Sequence, residues 1–143
     1  MLETPLGRRP EFYLSAGPSQ SRVLPCGLES AAVARRLVAA VLSRWELPEL
    51  TRSAELIVSE LVTNAVLHAR TCGASVRVVV TRVRDDRVQV AVTDLDQRPP
   101  VLVQSGPDVE SGRGLALVAA LSDSWGYERR HWGKQVWAEL ALL

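Results

Sequence analysis

The chain has 143 residues, 47% of them hydrophobic and 23% charged, and its 17 basic and 16 acidic side chains give a formal net charge of +1. A chain of this length forms one domain and buries roughly 68–70% of the surface that its unfolded state exposes. The balanced charge indicates no basic surface that would bind nucleic acid or a membrane, so neither is an expected partner. Cys26 and Cys72 lack metal-site spacing, and the sequence has no secretory or membrane-spanning pattern, so we expect a reduced, cytoplasmic protein.

The beginning of the chain differs in composition from the rest. Residues 1–19 contain three prolines and two glycines without hydrophobic periodicity, which is typical of a mobile arm that orders on a partner. We therefore predict an N-terminal arm over residues 1–19 and one folded domain over residues 20–143.

Hydrophobic periodicity and turn residues predict the elements of that domain. In chain order they are a strand at 21–25, helices at about 30–45 and 51–69, a hairpin of strands at 74–83 and 87–93, a lid-like loop at 94–111, a helix at about 114–121, and strands at 124–130 and 134–140. This order predicts an α+β two-layer sandwich, with the helices on one face of a mixed, mostly antiparallel sheet. The four tryptophans are expected to pack between the sheet and the helices or at the rim.

The second predicted helix carries three polar residues at four-residue steps, Glu60, Asn64 and His68, so all three lie on one helical face. This pattern is also typical of the solvated side of an ordinary amphipathic helix. Apolar residues surround the trio closely, however, which indicates a polar patch in a largely apolar setting. His68, near the helix end, is expected to have a structural role.

Two further features lie later in the chain. Asp94 ends a strand, and Gly112-Arg113-Gly114 opens a helix, where unpaired N–H groups suit a phosphate and glycines let an anion approach the backbone. Two glycines also suit any junction between a loop and a helix. The P-loop, the dinucleotide fingerprint and the nucleophile elbow of hydrolases are absent from the sequence.

Together these motifs resemble the superfamily of gyrase, heat-shock chaperone and histidine kinase ATPases, which has the Bergerat ATP-binding fold. The resemblance covers residues 21–142. It is carried by Glu60-x-x-x-Asn64-Ala65-x-x-His68-Ala69, by the strand-end Asp94, by Gly112-x-Gly114 and by the last turn, Gly133-Lys134. Within the superfamily, the short length and the run around Asn64 are most similar to the RsbW and SpoIIAB type of anti-sigma factor serine kinase.

The resemblance implies ATP and Mg²⁺ as cofactors and a role for each matching residue. Asn64 corresponds to the asparagine that holds Mg²⁺ against the phosphates, and Glu60 to the general base of phosphoryl transfer. Asp94 corresponds to the carboxylate that accepts a hydrogen bond from the adenine amino group. Gly112 and Gly114 correspond to the phosphate loop, and Arg113 between them is placed to offer a guanidinium to the same anion.

The chain departs from the family pattern at two places, and both concern how tightly nucleotide is held. Relatives often have Asp-x-Gly-x-Gly after the adenine strand, whereas this chain reads Asp94-Leu95-Asp96-Gln97-Arg98 and has lost both glycines. Lys134 stands where relatives often have a threonine, so a hydroxyl near the adenine is missing.

Three functions are compatible with the resemblance. The first is an ATP-dependent serine/threonine protein kinase that binds a sigma factor and phosphorylates an antagonist protein, with a homodimer implied by the family. The second is a non-catalytic protein-binding module of the same fold. The third, a histidine kinase core, is disfavoured because residues 1–50 contain no histidine. The retention of both Glu60 and Asn64 favours the kinase.

Overall fold

The computed structural model describes residues 18–68, 75–94, 109–130 and 133–142, and the side chains of residues 68, 109–114 and 130 lie outside that description. Its elements are β1 (Ser19–Pro25), α1 (Ser30–Arg44), a short 3-10 helix (Pro48–Leu50), α2 (Thr51–His68), β2 (Ser75–Arg84), β3 (Arg87–Asp94), α3 (Val109–Leu121), β4 (Ser124–Arg130) and β5 (Gly133–Ala141). All the predicted helices and strands are present in the predicted order. The predicted loop falls mostly on residues 95–108, outside the described residues.

The five described strands form one sheet in the order β1-β2-β3-β5-β4, and every neighbouring pair is antiparallel. The chain leaves β3, passes through α3 to the edge strand β4, and returns between them as β5. The helices lie on one face of this sheet, so the predicted two-layer α+β fold is confirmed.

Alternation along the strands determines which face of the sheet the helices cover. In β3, Val88, Val90 and Val92 are buried in one hydrophobic cluster with residues of α1 and α2. Their partners across the sheet belong to the same cluster, such as Val78 opposite Val92 and Ala138 opposite Val90. Full burial of a valine or leucine side chain contributes roughly 1.5–3 kcal/mol relative to exposure, so this interface supplies most of the stabilising apolar burial.

The end of α1 explains how the chain turns sharply into the 3-10 helix. Glu46 has a φ of 61°, the left-handed conformation that usually carries glycine at a helix end. Leu47 N donates to Leu42 O at 2.9 Å and Glu46 N donates to Ser43 O at 3.1 Å, which are the two hydrogen bonds of a Schellman motif. Leu42 and Leu47 are both buried, so their contact accompanies the motif in the usual way.

Helix α3 begins at Val109, five residues before the predicted start at Gly114. The sequence prediction followed the apolar residues, and the first turn of α3 has no apolar repeat. Among the described parts of the chain, no helix is both long enough and apolar enough to cross a membrane.

The face of the sheet opposite the helices is built differently. One row across the five strands consists of Ser19, Thr81, Gln89, Glu139 and Ser124. Arg87 Nη1 lies 3.2 Å from Glu139 Oε1, and Arg87 Nη2 lies 3.4 Å from Asp123 Oδ2.

Trp137 lies on this same face of the sheet. Trp45 and Trp125 pack against the helix-side cluster as expected, but the cluster does not include Trp137. Because Val136 and Ala138 face the helices, alternation along β5 places Trp137 on the opposite face. The expectation that every tryptophan packs between sheet and helices or at the rim was therefore wrong for Trp137, which is fully buried.

Candidate functional site

Asp94 is the last residue of β3 and continues the helix-facing positions Val88, Val90 and Val92. Its side chain is 3% exposed. The register pairs Asp94 with Lys134 at the beginning of β5, and Lys134 Nζ lies 3.6 Å from Asp94 Oδ1, with the lysine side chain only 6% exposed. The structure therefore places a buried carboxylate where the sheet meets the helix layer, with an equally buried ammonium group beside it.

The Asp94–Lys134 pair was not predicted, although Lys134 was recognised as unusual. The two residues are 40 positions apart, and they meet because β5 inserts next to β3 in the sheet. A buried ion pair offsets its desolvation only where its partners hold each other closely. A carboxylate can accept about four hydrogen bonds, so the contact with Lys134 does not by itself exhaust the accepting capacity of Asp94.

Glu60 and Asn64 lie one turn apart on α2, and both side chains are half-buried. Leu61 and Ala65, which follow them, are buried in the core. The two polar residues therefore lie at the border between core and solvent, as a patch with apolar neighbours. This agrees with a polar patch in an apolar setting better than with a freely solvated helix face.

The position of α2 between its neighbours locates this patch. Arg35 of α1 donates from Nη1 to Ser59 Oγ at 2.9 Å, which marks the flank of α2 next to α1. At 3.6 residues per turn, Glu60 and Asn64 lie about 100° and 140° around the helix from Ser59. They are thus on the flank turned away from α1, and α3 is the other helix that packs on α2.

The two parts of the candidate site come together at one end of the domain. Asn64 is about one turn from the end of α2 at His68, and β2 begins at Ser75, only a short connection away. Ser75, at the start of β2, and Asp94, at the end of β3, lie at the same end of these two antiparallel strands, because Arg77 pairs with Thr93. Helix α2 also packs directly on β3. The patch on α2 and the buried carboxylate of β3 therefore lie near the same end of the helix–sheet interface.

Gly112, Arg113 and Gly114 lie inside α3, not before it. Because an α-helix leaves only the N–H groups of its first turn without intrahelical partners, Gly112 lies at the edge of that turn and Gly114 lies beyond it. These glycines leave the backbone near the start of α3 without side chains. The side chains of Arg113 and His68 lie outside the described residues, as do Asp96 and most of the predicted lid.

Asp94 and Asn64 offer oxygen acceptors of the kind that a nucleotide and its metal ion require. Within the described residues, no group of three or more His, Cys, Asp or Glu side chains is arranged to hold a metal ion. A buried carboxylate is a hydrogen-bond acceptor suited to an amino group, and an asparagine oxygen suits a hard ion that stays largely coordinated by other oxygens. Asp94 and Asn64 thus fit a base and a metal-bound phosphate respectively.

Comparison with known proteins gives the same fold. The profile of the histidine kinase-like ATPase domain matches residues 24–140. An uncharacterized protein of Streptomyces coelicolor is 38% identical over 74 residues, which cover 50% of this chain and 70% of that protein.

Among solved structures, the RsbU and RsbW domains of Rv1364c from Mycobacterium tuberculosis superpose with a TM-score of 0.60 at 18% identity. The match covers 88% of this chain and 33% of that one, so the chain spans about a third of the length of that solved protein. At this identity the likeness concerns the fold alone. The family match, which covers most of the described residues, shows that the chain belongs to the histidine kinase-like ATPase domain family, a family of ATP-binding domains.

Proposed function

We propose that this chain is an ATP-dependent serine/threonine protein kinase that acts as a cytoplasmic anti-sigma factor in a partner-switching pathway. Its partners in this proposal are a sigma factor and an antagonist protein that carries the phosphorylated residue, and the protein works as a homodimer. Residues 20–143 form the ATPase domain and residues 1–19 the arm that precedes it. The similarity in fold to the solved RsbU and RsbW domains supports this direction.

The observation that carries the proposal is the buried carboxylate of Asp94 near the C-terminal half of α2, which bears Glu60 and Asn64. In this proposal Asp94 accepts a hydrogen bond from the adenine amino group beside its contact with Lys134, and burial makes that recognition selective because a base that cannot donate would desolvate the carboxylate without a compensating hydrogen bond. Asn64 holds Mg²⁺ through its side-chain oxygen. Gly112 and Gly114 let the phosphates approach the start of α3, and Arg113 neutralises part of their charge.

Glu60 is the catalytic base of the proposal. When bound, Mg-ATP would supply the γ-phosphoryl group and leave as Mg-ADP, and Glu60 would accept the proton of the attacking serine or threonine hydroxyl of the antagonist. Its half-buried position on α2 leaves the carboxylate open to a protein substrate while its apolar neighbours fix the helix beneath it. Positioning of this kind supplies most of the rate in phosphoryl transfer, since little covalent chemistry falls to the protein.

One observation favours a second candidate, a binding module of the same fold with weak or no turnover. Lys134 already contacts the carboxylate that the proposal assigns to adenine. If Lys134 outcompetes adenine for the Asp94 carboxylate, the affinity for ATP is low. The function then depends on binding partner proteins and not on phosphoryl transfer. The two candidates differ in whether phosphate is transferred.

Transfer of radiolabelled γ-phosphate from ATP to the antagonist tests the kinase directly. The Glu60→Ala variant is expected to bind ATP as the wild type does and to lose ~100- to 10,000-fold in transfer rate, because a general base acts mainly on the chemical step. Glu55→Ala is the matched control, since Glu55 is another half-buried glutamate of α2 with no proposed role. Equal transfer by the two variants would remove Glu60 from catalysis, and no transfer by the wild type would favour the binding module.

Asn64→Ala tests the metal role separately. Nucleotide affinity is expected to fall in the presence of Mg²⁺ and to stay unchanged in its absence, because Asn64 acts through the metal. Thr63→Ala, at the preceding half-buried position, is the control for damage to the helix. An equal loss of affinity with and without Mg²⁺ would contradict the assignment.

A further inference from the structure

The contact between Lys134 Nζ and Asp94 Oδ1 is close, but it is longer than a hydrogen bond. The two atoms are 3.6 Å apart, whereas a hydrogen bond from an ammonium group to a carboxylate spans about 2.7–2.9 Å. At this distance they attract each other as charges, and burial of both side chains strengthens the attraction. An N–H donor that reaches Asp94 Oδ1 at hydrogen-bond distance therefore gains an interaction that this contact lacks.

Of the two residues, Lys134 is the one that can shift. Asp94 has a short side chain and lies at the end of β3, which is held between β2 and β5. Lys134 is the second residue of β5, and its flexible four-carbon stem lets the ammonium group move while the strand stays paired. An ammonium group that moves toward solvent regains hydration that burial removed, which offsets part of the lost attraction.

The strand on the other side of Lys134 also favours such a shift. In the register of the sheet, Lys134 is paired with Asp94 on β3 and with Arg129 on β4. Like charges directly opposite each other across two strands are destabilising, although the exposure of Arg129 weakens the repulsion. Lys134 is therefore attracted from one side and repelled from the other.

The ammonium group of Lys134 and the amino group of adenine offer Asp94 the same kind of interaction. Both are N–H donors, and an ionised carboxylate is an acceptor only. Lys134 thus offers from within the chain what adenine offers from outside it. A base with an amino group gains the difference between the two contacts, whereas a base without a donor gains nothing by loosening the lysine.

We propose that Lys134 is an internal competitor for the carboxylate that reads adenine, and that it thereby sets the ATP concentration at which the site fills. This inference rests on the proposed role of Asp94 in binding adenine. Adenine binding loosens the contact between Lys134 and Asp94, and loss of the nucleotide lets the lysine return. The carboxylate is compensated in both states, and more ATP is needed to fill the site than Asp94 alone would require.

Two nucleotides that differ only in the 6-amino group test this competition. The probes are Mg-ATP and the Mg complex of purine riboside triphosphate, in which hydrogen replaces the amino group, each titrated calorimetrically into the full chain. Lys134→Met removes the ammonium group and keeps a long side chain. It should bind ATP about three- to tenfold more tightly than the wild type does. Its affinity for purine riboside triphosphate should not rise, since that base offers Asp94 no donor.

Two further variants keep the test decisive. Lys134→Arg retains the buried pair, so it is expected to fold even if Lys134→Met does not. A guanidinium can donate two parallel hydrogen bonds to a carboxylate, so Lys134→Arg should bind ATP at least about threefold more weakly and purine riboside triphosphate unchanged. Arg77→Met is the matched control, because Arg77 is an exposed cation near the same end of the sheet. It should change the affinity for both nucleotides by the same factor.

Several outcomes would overturn the proposal. An equal gain for both nucleotides in Lys134→Met, or weaker ATP binding by that variant, would show that the lysine does not compete with the amino group. A constant preference for ATP in every variant would leave the role of Asp94 standing and remove only the competition. Equal affinity for the two nucleotides in every variant would instead remove Asp94 from adenine recognition, and with it the basis of the proposed function. None of these measurements depends on phosphoryl transfer.

Discussion

The two faces of the sheet each hold a buried carboxylate beside a cation, and the pairs differ in what surrounds them. On the helix side, Asp94 and Lys134 lie at the strand ends where α2 and the sheet meet. On the outer face, Glu139 is within the sheet and contacts Arg87, which also reaches the more exposed Asp123. Burial and pairing of a carboxylate therefore do not by themselves mark a functional site, and the role proposed for Asp94 rests on its position at the end of the helix–sheet interface.

The largest expected effect is common to both pairs and concerns stability. Arg87→Ala and Lys134→Ala each remove a cation that contacts a buried carboxylate, and removal of one partner of a buried pair costs about 3–5 kcal/mol. We expect about 3 kcal/mol for Arg87→Ala, because the arginine is 31% exposed and water reaches part of the site. Urea denaturation measures the free energy of unfolding of both variants. Arg84→Ala, on an exposed residue at the end of β2, should change stability little.

Nucleotide affinity should separate the two variants. Removal of Lys134 takes away one group that competes with adenine for Asp94. A hydrogen bond to a charged acceptor is worth roughly 1.5–3 kcal/mol, and recovery of about half of this should make ATP bind about three- to tenfold more tightly to Lys134→Ala. Arg87→Ala should bind ATP as the wild type does. Calorimetric titration under conditions where both variants are folded makes the comparison. Weaker binding by Lys134→Ala would show instead that the lysine contributes to the nucleotide site.

The smallest expected effect concerns Asp123, the more exposed of the two carboxylates that contact Arg87. Asp123 is 45% exposed and lies 3.4 Å from Arg87, and pairs of this kind contribute roughly 0–1 kcal/mol. Asp123→Ala should therefore lower the free energy of unfolding by about 0.5 kcal/mol or less, and added salt should reduce the difference. A loss as large as that of Arg87→Ala would show that Asp123, and not Glu139, is the main partner of the arginine.

These pairs also show what the sequence could predict. The helix stripes, the alternating strands and the position of Asp94 at the end of a strand follow from local periodicity, and the structure has each of them. The Asp94–Lys134 contact depends on β5 lying next to β3, a non-local pairing that no local pattern specifies. The face of Trp137 follows from the alternation of Val136 and Ala138 along β5, but packing between sheet and helices or at the rim was predicted for the four tryptophans together, without regard to their strand positions. The start of α3 was missed because its first turn lacks an apolar repeat.

The choice between ATP and GTP tests the central claim most directly, since Asp94 is assigned to the adenine amino group. Guanine presents a carbonyl oxygen at the corresponding position, which a buried carboxylate repels. Titration of the full chain with each nucleotide and Mg²⁺ should show ATP bound at least about tenfold more tightly, and Asp94→Asn should remove most of that preference because an amide both donates and accepts. Equal binding of ATP and GTP by the wild type, or a preference that survives in Asp94→Asn, would contradict the account.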